Sequence, residues 1–345
     1  MESTCARLGL DPHQVQAWED GYRAHDDEGS TFEWWYFDMQ LDDGATLVVT
    51  FSNKPHTEPH GPLQPSVLVI YRDAAGNRFS SNDAHPAAEF AASAAGCDVR
   101  IGPSTVSGDL VDYRLHIETA ALVADLDLHR LAPSWRPGAG ISYFDAKQEQ
   151  YMGWVVAVPY GSVTGTITHE GQERAVSGSA YHDHNWGNEL MSAMLDHWYW
   201  GRAHLGDYTV VYVRMTTKGI LGFGAINLPT FLLVKGQEIL TDDLLPLRLE
   251  LGPEVPGPGH QSYPTHLRWT WRSDGGSVVL DVANPALIEA LDMRDGQPGR
   301  RQPLVHLLEH PMYYDFTADA TLTVDLKGIK ETVTGHTLYE KMMFR

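Results

Sequence analysis

The densest run of chemically capable side chains is Gly178-Ser179-Ala180-Tyr181-His182-Asp183-His184-Asn185-Trp186-Gly187-Asn188. In an extended conformation Tyr181, Asp183 and Asn185 share one face, and His182 and His184 share the other. The first face is an acid–base pattern. If it lines an apolar space, desolvation raises the Asp183 carboxyl and keeps it protonated near neutral pH. Such an acid can protonate an alkene or a polarised carbonyl, with Tyr181 beside it. The second face is a His-x-His pair that suits zinc or iron, and His197, His204 or Glu189 could add ligands; the pair alone is a weak signal. A third reading is a hydrogen-bonded loop joining two domains, because a run this polar is costly to bury without partners. At the level of the residues these readings stay open.

Aromatic clusters accompany this run. Glu33-Trp34-Trp35-Tyr36-Phe37-Asp38 puts rings on both faces of one strand, so a second sheet, a helix or a ligand must cover the second face. Asp196-His197-Trp198-Tyr199-Trp200-Gly201-Arg202-Ala203 repeats the pattern, and Trp154 opens a further apolar strand. Ring faces stabilise positive charge, which suits a cavity where a cation develops on carbon. Candidate substrate-binding residues are therefore Trp154, Trp35, Glu33, Trp186, Trp198, Trp200 and Asn185. A Walker A loop, a GxGxxG after a strand, a GxSxG elbow, an HExxH and paired CxxC motifs are all absent.

Strands must position these groups. Tyr113, Leu115 and Ile117 alternate with polar residues, as do Leu122–Leu128, Leu267–Trp271 and Ala320–Leu326. Period 2 of this kind means half-buried strands. Asp42-Asp43-Gly44, Ala75-Gly76-Asn77, Pro137-Gly138 and Asp274-Gly275-Gly276 read as turns. Helix is expected only in short pieces: one early in the polar lead-in, and one over Asn284–Leu291, with Asn284 as N-cap and Pro285 at the first helical position. Roughly 16 to 20 strands exceed one small barrel. The expected architecture is all-β, with two antiparallel barrels in series. A lead-in over 1–30 ends in the acidic stretch 24–30. The barrels follow over 31–195 and 196–345. The Pro/Gly-rich stretch 253–264 is a loop inside the second barrel.

Bulk properties narrow the class. The chain has 345 residues, 43% hydrophobic and 20% charged, which suits about two packed domains. A formal net charge of −20 argues against nucleic acid as a partner and against docking on an anionic membrane by charge alone. Two cysteines, Cys5 and Cys97, make no disulfide framework, which fits a reducing compartment. With no signal-peptide pattern and no apolar run long enough to span a bilayer, a cytoplasmic location is expected.

Taken together, EWWYFD near the start, YHDHNWGN mid-chain and WYWGRA just after it resemble the carotenoid 1,2-hydratase family, also called hydroxyneurosporene synthases. That superfamily includes AttH-like lipocalin-domain proteins and fungal decalin-forming Diels–Alderases. The resemblance runs through most of the chain, and its motifs are poor at choosing among the superfamily's activities. It implies two tandem lipocalin-like, calycin-type barrels. By motif match it implies that Asp183 and Tyr181 add water across an isoprenoid double bond, with Trp154 as the upstream Trp of the site, and that no cofactor is needed. The implied partner is a hydrophobic small molecule such as a terpenoid or carotenoid. Peripheral membrane contact stays open, as do an orientation-driven pericyclase of a polyketide or terpenoid and a non-catalytic lipid or pigment carrier.

Overall fold

The computed structural model describes residues 2–24, 31–145, 147–219, 225–292 and 311–344; most of the acidic stretch over 24–30 lies outside them. Two compact units divide the chain, Met1–Met191 and Ser192–Arg345.

The first unit begins with a short helix, α1 (Glu2–Leu8), and a 3-10 turn over Ala17–Asp20. The turn is held by Glu19, whose carboxylate accepts the Gln16 backbone N–H at 2.8 Å. Twelve strands follow: β1 (Phe32–Leu41), β2 (Thr46–Ser52), β3 (Ser66–Arg72), β4 (Arg78–Ala84), β5 (Phe90–Ala92), β6 (Asp98–Ile101), β7 (Ser104–Gly108), β8 (Asp112–Glu118), β9 (Val123–Arg130), β10 (Ile141–Tyr143), β11 (Tyr151–His169) and β12 (Gln172–Gly187). They form one antiparallel sheet in the order β4-β3-β2-β1-β12-β11-β9-β8-β7-β6-β5, with β10 on β11. The first strand thus pairs with the last. The sheet curls on its own core: the Asp83 carboxylate on β4 accepts the Ala120 N–H from the β8–β9 turn at 2.7 Å. Tyr113, Leu115 and Ile117 point into that core, as their alternation requires.

The second unit repeats the plan with β13 (Leu195–Leu205), β14 (Tyr208–Thr217), β15 (Asn227–Lys235), β16 (Glu238–Thr241), β17 (Leu247–Leu251), β18 (Glu254–Pro256), β19 (Ser262–Pro264), β20 (His266–Ser273), β21 (Gly276–Asp292), β22 (Met312–Leu326) and β23 (Ile329–Met343). Its sheet runs β16-β15-β14-β13-β23-β22-β21-β20-β17, again with the first strand beside the last. The Pro/Gly-rich stretch folds into the small hairpin β18–β19. The chain is therefore all-β, two curled lipocalin-like half-barrels with few short helices. No helix among the described residues is long and apolar enough to cross a membrane.

One expectation fails. Asn284–Leu291 is not a helix but the second half of β21. Asn284 sits at φ 54°, and the pairing with β22 slips by a residue between Ala283 and Ala286. An Asn-Pro pair suits a bulge as well as a helix start. Asn tolerates the left-handed conformation, and the Pro position needs no ladder donor. The Asn284 amide also donates to Asp319 on β22 at 2.8 Å, which fastens the bulge.

Candidate functional site

The mid-chain motif lies on β12, a strand flanked by β1 and β11. On the β1 side Tyr36 pairs with Asp183, Trp34 with Asn185 and Asp38 with Tyr181. Directly paired residues point the same way, so these six side chains share one face. On the β11 side Trp154 pairs with Asn185 and joins them. Between Val155 and Val158 β11 bulges, and no β11 residue pairs with Asp183. Bulges of this kind re-aim side chains and often accompany functional sites.

The Asp183 carboxyl is buried, 5% exposed. Three neutral donors hold it. The Trp154 indole N–H and the Tyr181 hydroxyl donate to Oδ2 at 2.9 and 2.7 Å, and the Asn185 amide donates to Oδ1 at 2.8 Å. Burial pushes the carboxyl above its ordinary range, and the hydrogen bonds from Trp154 and Tyr181 only partly oppose this. Rings surround the group: Tyr36 meets Tyr181 edge-on at 6.3 Å, and Trp135 meets Trp154 at 5.7 Å. A desolvated carboxyl among neutral donors and indole and phenol faces can give up or take a proton beside an apolar reactant.

The opposite face of β12 carries a separate polar network. The His182 ring stacks on Phe37 at 3.9 Å, with Nδ1 at the Tyr36 carbonyl (2.9 Å) and Nε2 at the Asp20 carboxylate (3.2 Å). The His184 ring stacks on Trp35 at 4.8 Å, with Nε2 2.6 Å from Glu33. Glu33 also accepts the backbone N–H groups of Arg23 and Ala24, and the Tyr113 hydroxyl donates to Asp20 at 2.6 Å. This network fastens the 3-10 turn, whose Glu19 forms a buried ion pair with Arg136 at 2.9 Å.

Metal donors exist on this face, since Asp20, Cys97 and His182 offer atoms within 4.8 Å of one another. Hydrogen bonding already engages His182 at both nitrogens. His184 is likewise engaged, with Nε2 on Glu33 at 2.6 Å and Nδ1 3.7 Å from Asp20. The further ligands proposed from the sequence have other contacts: Glu189 lies 3.4 Å from His60, His197 2.6 Å from Asp196, and His204 3.2 Å from Thr209.

Of the residues singled out in the sequence, Asp183, Tyr181, Asn185 and Trp154 come together. Glu33, Trp35 and Trp186 stand on the network face instead. Trp35 and Glu33 are fully buried, and Trp186 lines a cavity of about 150 Å³ with Leu8, Leu10, Trp18 and Val155. Trp198 and Trp200 belong to β13, on the face opposite Tyr199 and the second core; the Trp198 indole donates to Glu340 at 2.9 Å. Tyr36 and Trp34 are additions to the Asp183 face. Their signal was parity within EWWYFD, which becomes readable once Tyr36 is known to pair with Asp183.

A curled, lipocalin-like antiparallel sheet, repeated in both units, defines the class. Within that class the chain belongs to the Diels-Alderase-like family, whose model matches residues 28–244, more than half of its length. A curated relative, hydroxyneurosporene dehydrogenase of Chlorobaculum tepidum, is 28% identical over 228 residues; the match spans 56% of this chain and 59% of that protein. Three solved structures share the fold. CghA with Sch210972 superimposes with a TM-score of 0.66 at 15% identity, over 97% of both chains. An AttH-type protein from Nitrosomonas europaea gives 0.64 at 18% identity, over 96% of this chain and 98% of that one. Kievitone hydratase from Nectria haematococca gives 0.59 at 14% identity, over 96% and 94%.

Proposed function

We propose that this chain is a cofactor-independent enzyme that acts on a hydrophobic alkene or polyene of terpenoid or carotenoid type, with Asp183 as the proton donor. The observation that carries the reading is the Asp183 carboxyl itself, buried, raised by desolvation and held by Trp154, Tyr181 and Asn185. Asp183 gives its proton to the less substituted carbon of a trisubstituted double bond. A tertiary cation forms, and the rings of Trp154 and Tyr36 shield it. Water adds to the cation, and a proton of that water returns to the carboxylate; the net change is addition of one water. With water excluded, a second double bond attacks and a ring closes. Tyr181 orients the acid. Half a turn of the Asn185 amide exchanges its N–H for its carbonyl at the same contact, so one residue serves both the carboxylate and the acid form. The hydratase named among the fold relatives supports the water-adding branch.

The family description supports a second reading, a pericyclase in which the face orients a folded polyene and catalysis is positioning. Turnover of terpenoid polyenes and polyketide trienes in D2O, followed by mass spectrometry, separates the two. Acid chemistry places one solvent deuterium on carbon per turnover, and Asp183→Asn lowers the rate at least about 100-fold with the fold intact by circular dichroism. Full turnover by Asp183→Asn without carbon-bound deuterium would overturn the acid reading in favour of the pericyclase. That enzyme should instead slow on Trp154→Ala and Tyr36→Ala. Stoichiometric binding with the ligand returned unchanged would mark a carrier.

A further inference from the structure

Beside the Asp183 face stands an imidazole that the proposed reaction leaves unused. After β2 the chain enters a loop over 53–65, and His56 belongs to it. The loop is firmly placed. The Asn53 N–H donates to the Glu33 carbonyl at 3.0 Å, and the Glu33 N–H donates to the Asn53 side-chain oxygen at 2.8 Å. The buried Lys54 ammonium donates to the carbonyls of Pro59 and Gly61 at 3.3 and 3.0 Å. His60 meets Glu189, just beyond β12, at 3.4 Å. Held in this way, the His56 ring lies against the Trp34 ring, with 5.7 Å between centroids. Trp34 is the cross-strand partner of Asn185, whose amide holds Asp183. Trp34 thus links His56 to the residues around the acid.

Two features suit this imidazole to work on water. Among the described residues neither of its ring nitrogens has a hydrogen-bond partner, whereas His182 and His184 are engaged at both. It can also be reached: His56, Trp34, Tyr36 and Trp154 are each partly exposed, so the rings around the acid present an open surface and not a sealed core. Although part of the residue reaches that surface, its ring is desolvated, and this lowers its pKa to about 4. It is therefore neutral at neutral pH, while the same cause pushes Asp183 the opposite way. Groups whose surroundings drive their pKa values apart are the mark of an acid and a base in one site.

We propose that His56 is the base of the water-adding reaction, holding the attacking water at a ring nitrogen and taking the proton that this water loses. The assignment rests on the reading of Asp183 as the proton donor. Once Asp183 has protonated the double bond, an oxygen lone pair of the water attacks the tertiary cation and a C–O bond forms. The product at that stage is a protonated alcohol, which readily loses water again. Transfer of its extra proton to His56 makes the addition final. Burial disfavours the imidazolium and the Asp183 carboxylate alike, so the proton passes from one to the other through solvent water and both end neutral. One water is consumed, and no further reactant is needed. A neutral His56 also spares the cation the repulsion that an imidazolium would exert on it.

Protonation and water capture part company in D2O. Squalene and geranylgeraniol serve as probes, with the alcohol formed and the alkene recovered both analysed by mass spectrometry. Asp183 alone suffices to label the alkene, because a cation that loses a proton instead of gaining water returns as deuterated alkene. His56→Gln keeps a hydrogen-bonding side chain but no base. It should form alcohol at least about 10-fold more slowly than the native chain, while alkene labelling stays within about 2-fold or rises. His56→Phe, which keeps a ring against Trp34, should behave alike and decides the matter should His56→Gln not fold. Asp183→Asn, by contrast, should lose alcohol and label together; label retained there would overturn the acid reading. Neither alcohol nor label from the native chain with either probe would remove the acid reading and this assignment with it. Independently of any substrate, the His56 ring C–H signal in proton NMR, identified by its loss in His56→Gln, should stay still from about pH 7 to about pH 5, where an ordinary imidazole titrates. Undiminished alcohol formation by the His56 variants, equal loss of alcohol and label in them, or an ordinary titration of His56 would each overturn the inference.

Discussion

Asp183 is pulled two ways. Burial favours its neutral form, while Trp154, Tyr181 and Asn185 favour the carboxylate, and burial prevails. The direction sets two pH dependences. As a proton donor the group works below its folded pKa, so kcat/KM falls as pH rises through that raised value. Tyr181 donates to the carboxylate and so holds the pKa down. In Tyr181→Phe the descending limb should therefore move to higher pH, alongside a lower maximum rate. A Tyr181 that only packs would leave the limb in place, so the pH profile checks the role. Stability runs in the same sense. Between the unfolded and the raised folded pKa the native state binds more proton than the unfolded state, so stability declines with rising pH across that window. Asp183→Asn removes this cost. Its Tm should exceed that of the native chain at neutral pH, with the gain shrinking as pH falls from the raised folded pKa towards the ordinary carboxylate range and gone below it. A Tm difference independent of pH would show that the carboxyl is not desolvated at a cost.

At the scale of the elements, the site depends on how β1, β12 and β11 lie side by side. Gly153 on β11 pairs with Trp186 on β12, and the Trp186 indole lies across it. A Cβ at Gly153 would fall 2.0 Å from that ring. Gly153→Ala should thus overpack the strand next to Trp154 and cost about 1–3 kcal/mol. Thermal unfolding should show it as roughly 2–4 °C per kcal/mol, and Gly153→Ala with Trp186→Phe should recover part of the loss. An unchanged Tm for Gly153→Ala would count against this packing. The same strands show what a sequence can and cannot tell. Tyr113, Leu115 and Ile117 announce a strand because water on one side and core on the other impose period 2. The shared face of Tyr181, Asp183 and Asn185 follows from the same rule. Their contact with Trp154 does not, because it depends on the register between β11 and β12 and on a bulge whose signal, Pro159 and Gly161 a few residues on, does not fix where the pairing slips. The Tyr113–Asp20 and His182–Asp20 contacts join residues 93 and 162 apart, so His182 reads as a free imidazole until the turn over Ala17–Asp20 is in place. Asn284-Pro285 is ambiguous for a local reason: the pair satisfies the demands of a helix start and of a bulge alike.

For the whole molecule, the net charge bears on how the hydrophobic substrate proposed above would be reached. A net charge of −20 and a sequence pI near 5.1 give a repulsive field toward anionic surfaces at neutral pH. A polyene dissolved in a bilayer has to be taken up across that field. Screening sets its reach, about 10 Å at 0.1 M salt and about 3 Å at 1 M. With a polyene substrate presented in vesicles, turnover at low salt should be slower from vesicles containing phosphatidylserine than from phosphatidylcholine alone. Raising the salt to 1 M should close most of that gap, while turnover from the neutral vesicles changes little. Below the pI the sign of the protein's charge reverses, so near pH 4.5 the anionic vesicles should become the better source. Faster uptake from anionic vesicles at neutral pH and low salt would mean that a local basic surface, not the net charge, governs the encounter. The encounter is governed by the product of the two charges. Both the salt dependence and the reversal with pH must therefore appear together, and either one alone would refute it.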